Sequence, residues 1–156
     1  MKILVIAVGR SRGALTEAIS DYEERAARYW KLEVAEVAEG VKGGHPEPDR
    51  VKEAEGERIL ARVPDGLDLV ALTREGKGMR SATLSRYLQQ RAVRAHPGVA
   101  FVIGGAFGLA PAVLERADRR LSLSPMTFPH DMARLFLAEQ LYRAGTIVRG
   151  EPYHKG

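Results

Sequence analysis

The sequence predicts an α/β fold built on a mostly parallel sheet flanked by helices. Apolar runs of strand length alternate along the 156 residues with stretches of helical periodicity. Three of those runs, Lys2–Val8, Leu67–Leu72 and Val99–Ile103, are apolar nearly throughout, the pattern of strands covered on both faces. The runs are far enough apart for helical crossovers, which parallel strands require.

In chain order, Lys2–Val8 is a strand. Leu15, Ile19, Tyr22, Ala26 and Tyr29 then recur at helical spacing opposite Glu17, Asp21, Glu24 and Arg28. Leu32–Ala38 reads as a second strand, and Gly40–Asp49, with two prolines and three glycines, as a loop. Val51–Val63 is helical, and Asp65-Gly66 ends it. The third strand, Leu67–Leu72, opens into the polar loop Thr73–Gly78. Ser81–Ala95 follows as a helix with Leu84, Tyr87, Leu88 and Ala95 on one face. After His96-Pro97-Gly98 comes the strand Val99–Ile103, succeeded at once by Gly104-Gly105-Ala106-Phe107-Gly108. A short helix from Pro111 leads to Arg120, and Leu121 and Leu123 alternate with Ser122 and Ser124 as a last strand. The final helix runs from Pro129, a favourable first position, to Gly145.

That last helix is apolar around almost its whole circumference, through Met132, Ala133, Leu135, Phe136, Leu137, Ala138, Leu141, Tyr142 and Ala144. Such a helix is buried on every side. One face is therefore expected on the sheet and another against a second copy of the chain in a homodimer; a helix central to a monomer is the alternative. Arg134 and Arg143 lie on opposite faces, and Glu139 and Arg143 stand at the i,i+4 spacing of an ion pair.

Composition excludes whole classes. At 45% hydrophobic and 28% charged residues the chain is neither disordered nor fibrous. Its length fits one domain over 1–156. Without cysteine there is no thiol catalysis, cysteine zinc cluster or disulfide scaffold. No run approaches the roughly 18 apolar residues of a membrane span, and Gly9-Arg10-Ser11-Arg12 follows the first run too soon for a secretory signal, so a cytoplasmic location is expected. The net charge of +4 is uneven. Residues 1–78 carry 13 Lys and Arg against 15 Asp and Glu, and residues 79–156 carry 11 against 5. Of the 24 cations 18 are arginine, suited to phosphate contacts; Arg12, Arg80, Arg86, Arg91 and Arg94 are candidates for a nucleic-acid partner.

Ligands of parallel sheets bind at the carboxyl ends of strands, which points to Leu72 with its loop, Gly104–Gly108 and Leu123–Pro129. A phosphate-binding loop is disfavoured, because the stretch before Gly76-Lys77-Gly78 has Ala71 in place of the first glycine and Gly78 in place of the hydroxyl. A dinucleotide fingerprint is disfavoured too, since only Gly9 and Gly13 follow the first strand. His45, His96, His130 and His154 show no metal spacing, and no metal is expected. The segment Glu151–Gly156 joins an aromatic ring, an imidazole and an ammonium, which can stack on a base, move a proton and bind phosphate.

Four segments then form a familiar ordered set: Val99–Leu109 (VAFVIGGAFGL), Leu121–His130 (LSLSPMTFPH), Glu139–Ala144 (EQLYRA) and Pro152–Lys155 (PYHK). Together they resemble the bacterial family of small SPOUT-class methyltransferases that methylate N3 of a pseudouridine in large-subunit ribosomal RNA. The resemblance implies a deep trefoil knot near the C-terminus, an exception to unknotted topology, a homodimer, and S-adenosyl-L-methionine as methyl donor. By motif it places the cofactor at Leu72, Gly104, Leu123, Ser124, Pro125, Met126, Thr127 and Phe128. It assigns Tyr153 and His154 to substrate placement, with His154 a candidate proton acceptor and Arg143 a third catalytic candidate. Large-subunit ribosomal RNA within the ribosome is the implied partner. Thr73 and the Gly76-Lys77-Gly78 loop are less typical of that family. A small-molecule Rossmann methyltransferase and a non-enzymatic RNA-binding module are the competing readings.

Overall fold

Five apolar segments pair into one sheet in the computed structural model, which describes residues 1–156. They are β1 (Lys2–Val8), β2 (Lys31–Val37), β3 (Asp68–Gly78), β4 (Gly98–Ile103) and β5 (Arg119–Ser122). All pairings are parallel, in the order β2-β1-β4-β3-β5. The edges explain the sequence pattern: β1 and β4 are buried on both faces, whereas Lys31 and Glu33 of β2 and Arg119 and Arg120 of β5 reach solvent.

Alternation along the strands divides the core in two. Ile3, Val5, Val70, Val99 and Phe101 face helices α1 (Thr16–Ala26), α3 (Ser81–Val93) and α5 (His130–Val148), whose Ala26, Leu84, Leu88, Leu137 and Leu141 complete one cluster. Leu4, Ile6, Leu69, Ala71 and Val102 face α2 (Pro48–Leu60) and α4 (Pro111–Arg116), which contribute Ile59 and Val113. No helix is long and apolar enough to cross a membrane.

Several boundaries depart from the periodicity. Pro48 occupies the first turn of α2, which starts before Val51 because proline's fixed φ suits that position. Pro129 caps α5 from outside at ψ 149°, so the helix begins at His130. The segment Thr73–Gly78 is a continuation of β3 and not a loop. Leu72 and Lys77 both pair with Leu121, so residues 73–76 bulge from the ladder. The bulge needs Gly76, where a Cβ would lie 2.7 Å from the carbonyl of Arg120. The motif thus serves strand geometry.

Helix α5 runs past Gly145 to Val148 and lies between α1 and α3. Trp30 Nε1 donates to the Leu141 carbonyl at 2.9 Å, and Ser85 Oγ donates to that of Ala144 at 3.1 Å. Sheet, α1 and α3 therefore cover most of the helix within one chain, and its apolar circumference does not by itself call for a second copy. Phe136 is the large apolar residue of α5 left exposed. Gly145 allows the closest approach, since a Cβ there would overlap the Tyr29 ring. Gly145→Ala is expected to destabilise the fold by about 1–3 kcal/mol through overpacking. Urea denaturation measures it, and an unchanged midpoint would show that the turn carrying Tyr29 after α1 yields freely.

Candidate active site

Parallel pairing brings three strand ends side by side. Leu72 pairs with Ile103 on one side and with Leu121 on the other, so the residues after β4 and β5 flank the end of the regular part of β3. Gly104 begins the turn after β4. It has no room for a side chain, because a Cβ would stand 2.9 Å from the Gly108 backbone. Leu72 is half-buried against the core.

The segment after β5 is fixed by side-chain bonds. Ser122 Oγ donates to the Arg74 carbonyl at 3.1 Å, and Arg74 donates to Thr127 Oγ1 at 2.6 Å. Ser124 Oγ accepts the Met126 N–H at 3.0 Å, a local turn that leaves Met126 outward and 72% exposed. Leu123 and Phe128 turn inward and line a cleft of about 350 Å³. Leu72, Gly104, Ser124, Pro125, Met126 and Thr127 do not line it. Leu121, Leu137 and Phe136 supply further apolar wall, and Phe136 meets Phe128 edge-on at 5.3 Å between ring centres.

The cleft also has a polar side that the strand-end argument missed. Met79, Arg80 and Ser81 at the start of α3, and Glu139 and Gln140 of α5, line it. Ser81 Oγ donates to Gln140 Oε1 at 2.6 Å and ties the two helices together. The available signal was topological: the turn entering a helix after a strand end shares that strand's ligand site. A volume of this size with apolar walls and a few convergent polar groups suits a nucleoside-sized ligand.

Glu139 connects the cleft to the segment 151–156. Arg143 Nε donates to Glu139 at 2.7 Å, and Arg143 Nη1 lies 3.2 Å from His154 Nδ1. The same guanidinium sits over the Tyr153 ring at 4.8 Å, and Tyr153 packs edge-on against Tyr142 at 4.7 Å. Arg143, Tyr153 and His154 are thus assembled as one group. Arg143 has donors only, so His154 Nδ1 accepts and an uncharged ring carries its proton on Nε2. Burial, and next a hydrogen bond with Tyr22, push the Tyr153 hydroxyl up to about 12, which keeps it a phenol at neutral pH. The hydrogen bond to Glu139 raises Arg143 further above its ordinary value.

Other candidates lie elsewhere. Arg134 is buried and bonds Glu23 and Glu36 at 2.9 and 2.6 Å, which makes it a brace between α5, α1 and β2. Arg91 is held by Asp68 at 2.8 Å and is not a free phosphate contact, whereas Arg12, Arg80, Arg86 and Arg94 are exposed. His96 is tied to Asp68 at 3.3 Å and accepts the Gly98 N–H at 3.2 Å. No three His, Asp or Glu side chains converge as a metal site.

Residues 1–154 match the family model described as "Predicted SPOUT methyltransferase". A ribosomal RNA large subunit methyltransferase H of Gemmatimonas aurantiaca is 54% identical over 156 residues, covering 99% of this chain and all of that protein. Relatives of the same name from Pelotomaculum thermopropionicum and Syntrophotalea carbinolica are 46% and 43% identical. They cover 97% and 99% of this chain and 98% and 99% of their own lengths.

Proposed function

Because the chain belongs to the SPOUT methyltransferase family, we propose that it methylates N3 of a pseudouridine in 23S ribosomal RNA, on assembled ribosomes in the cytoplasm, using S-adenosyl-L-methionine. The observation that carries this reading is the cleft between the segment after β5, the start of α3 and helix α5, joined through Glu139 and Arg143 to Tyr153 and His154. Names borne by full-length relatives supply the ribosomal RNA substrate.

The donor brings an already activated methyl group. The chain has to hold the donor, align the acceptor nitrogen and keep water from intervening. Leu123 and Phe128 offer apolar surface for the adenine, and backbone groups of Gly104 and Leu123–Phe128 offer its polar contacts. Leu72 is the β3 pairing partner of Leu121, which lines the cleft. On the acceptor side, His154 Nε2–H can donate to a base carbonyl while Arg143 holds the ring. Acting as a proton acceptor would require His154 to turn away from Arg143. Tyr153, protonated at neutral pH, contributes its ring face and hydroxyl and not a phenolate base.

The knot belongs to the same reading. Its support is the tie between the 73–76 bulge and the segment after β5. For the homodimer the support is the apolar surface of Met126, Phe128 and Phe136 around the cleft mouth, 72% and 37% exposed at Met126 and Phe136. Phe136→Glu is expected to convert a dimer into a monomer in sedimentation velocity. A variant that sediments like the unmutated chain would place the interface elsewhere.

The function is tested by incubating the protein with labelled S-adenosylmethionine and ribosomes from a strain lacking this modification, then locating the methyl group by mass spectrometry. Methyl on a large-subunit pseudouridine is expected. Donor binding without transfer to any ribosomal RNA would overturn the substrate.

A further inference from the structure

Four polar or charged side chains are buried: Glu55, Ser85, Arg134 and Thr146. Three are matched. Ser85 donates to the Ala144 carbonyl, Thr146 to that of Arg143, and Arg134 to two carboxylates. Glu55, on α2 and only 4% exposed, is half-matched. Its Oε2 accepts the Gly40 N–H at 2.8 Å, while its Oε1 is enclosed and accepts nothing. An enclosed oxygen without a donor is costly, on the order of 1–3 kcal/mol, so it calls for a reason.

The free oxygen faces the turn that follows β4. A Cβ on Gly105 would lie 2.9 Å from Oε1 and 3.0 Å from Val8 Cγ1, so only glycine lets the backbone come this close. The turn is closed by the Gly108 N–H on the Gly105 carbonyl at 3.1 Å. Gly105 and Gly108 pair as an antiparallel bridge, and the N–H groups of Ala106 and Phe107, in the exposed part of the turn, donate to no protein acceptor. An enclosed acceptor without a donor therefore stands against a turn whose Ala106 and Phe107 N–H groups are open to solvent. Gly104, at the head of this turn, is one of the residues proposed to hold the methyl donor. Neighbouring packing is equally tight, since a Cβ on Gly56, next to Glu55, would lie 2.9 Å from Ala110.

We infer that Glu55 is a positioning residue of the methyl-donor site: its free oxygen takes a backbone N–H of the Gly104–Gly108 turn when that turn closes on the donor, and so sets the turn's bound shape. The inference rests on the reading of Gly104 as part of the S-adenosylmethionine site. A role confined to anchoring Gly40 makes a different prediction. Glu55→Gln retains an amide oxygen for Gly40 at the same volume, but turns an NH₂ toward the turn, where an acceptor is needed.

The test is calorimetric titration of S-adenosylmethionine into the full chain and its variants, beside thermal unfolding. Glu55→Gln is expected to raise Kd about tenfold, the size of one lost hydrogen bond, with an unchanged unfolding midpoint. In turnover the KM for the donor should rise while kcat at saturating donor is kept. Glu55→Asp, which keeps the carboxylate but draws it back from the turn, should weaken binding likewise, and it decides the matter if Glu55→Gln does not fold. Wild-type affinity in whichever variant folds would overturn the inference and leave the donor site standing. Absence of binding by the unmutated chain would overturn both.

Discussion

In methyl transfer to ribosomes, Arg143→Ala is expected to lower kcat by about 100-fold while leaving the Kd for the methyl donor within about twofold, because it misplaces the acceptor side of the site alone. Arg143 is the only side chain that touches all three members of the group: Glu139 at 2.7 Å, His154 at 3.2 Å and the Tyr153 ring at 4.8 Å. Its removal frees the imidazole to rotate and leaves the Glu139 carboxylate in the cleft without its cation. Displacement of a positioned group by about 1 Å is enough for a loss of this order. Arg143→Lys should rescue little, because an ammonium cannot hold a carboxylate and an imidazole in one plane as the guanidinium fork does. His154→Ala, which removes one donor and keeps the rest, should cost less than Arg143→Ala. Equal losses in kcat and donor affinity would mean that the cleft itself had been damaged. Normal turnover by Arg143→Ala would remove the 151–156 segment from the mechanism.

The second large effect is on stability. Arg134→Met is expected to destabilise the chain by about 3 kcal/mol at pH 7, the low end of the range for a broken buried pair, because Glu36 is more than a third exposed and partly screened. The loss strands Glu23 and Glu36 against α5. The effect has a pH signature. The hydrogen bond from Arg134 holds Glu36 below its ordinary value of 4.5. A carboxyl lowered in this way adds stability that is fully present above the unfolded value and is lost as pH falls through the folded one. The gap between unmutated protein and Arg134→Met should therefore be constant from neutrality down to about pH 5 and narrow below about 4.5. Denaturant midpoints at several pH values measure it. A gap independent of pH would assign the loss to packing of the arginine stem.

What could be read from the sequence is what local chemistry and periodicity control. The strands Lys2–Val8 and Val99–Ile103 and the order of five helices follow from apolar runs and helical spacing. The motifs at Gly104, Leu123–Phe128 and Tyr153-His154 marked a candidate site by resemblance, and the family match over residues 1–154 agrees with the family that they resemble. Other features depended on neighbours far along the chain. Thr73–Gly78 looks like a polar loop until β5 lies beside it, and Gly76 is then required by the carbonyl of Arg120. The apolar circumference of α5 is the same whether a second copy or α1 and α3 cover it, and only packing distinguishes them. Arg134 and Arg143 are identical as letters. One is turned into a buried brace by Glu23 and Glu36, and the other into the link between cleft and terminal segment by Glu139 and His154. Glu55 gives no sign in the sequence, where a glutamate in a helix reads as surface. Its partners Gly40 and Gly105 lie 15 residues before it and 50 after it. The sequence by itself determined the elements and the motif residues, because strand and helix periodicity act within a few neighbours. Only the tertiary structure decided which charged groups are structural and which reach the cleft, because burial and pairing are properties of contacts between distant segments.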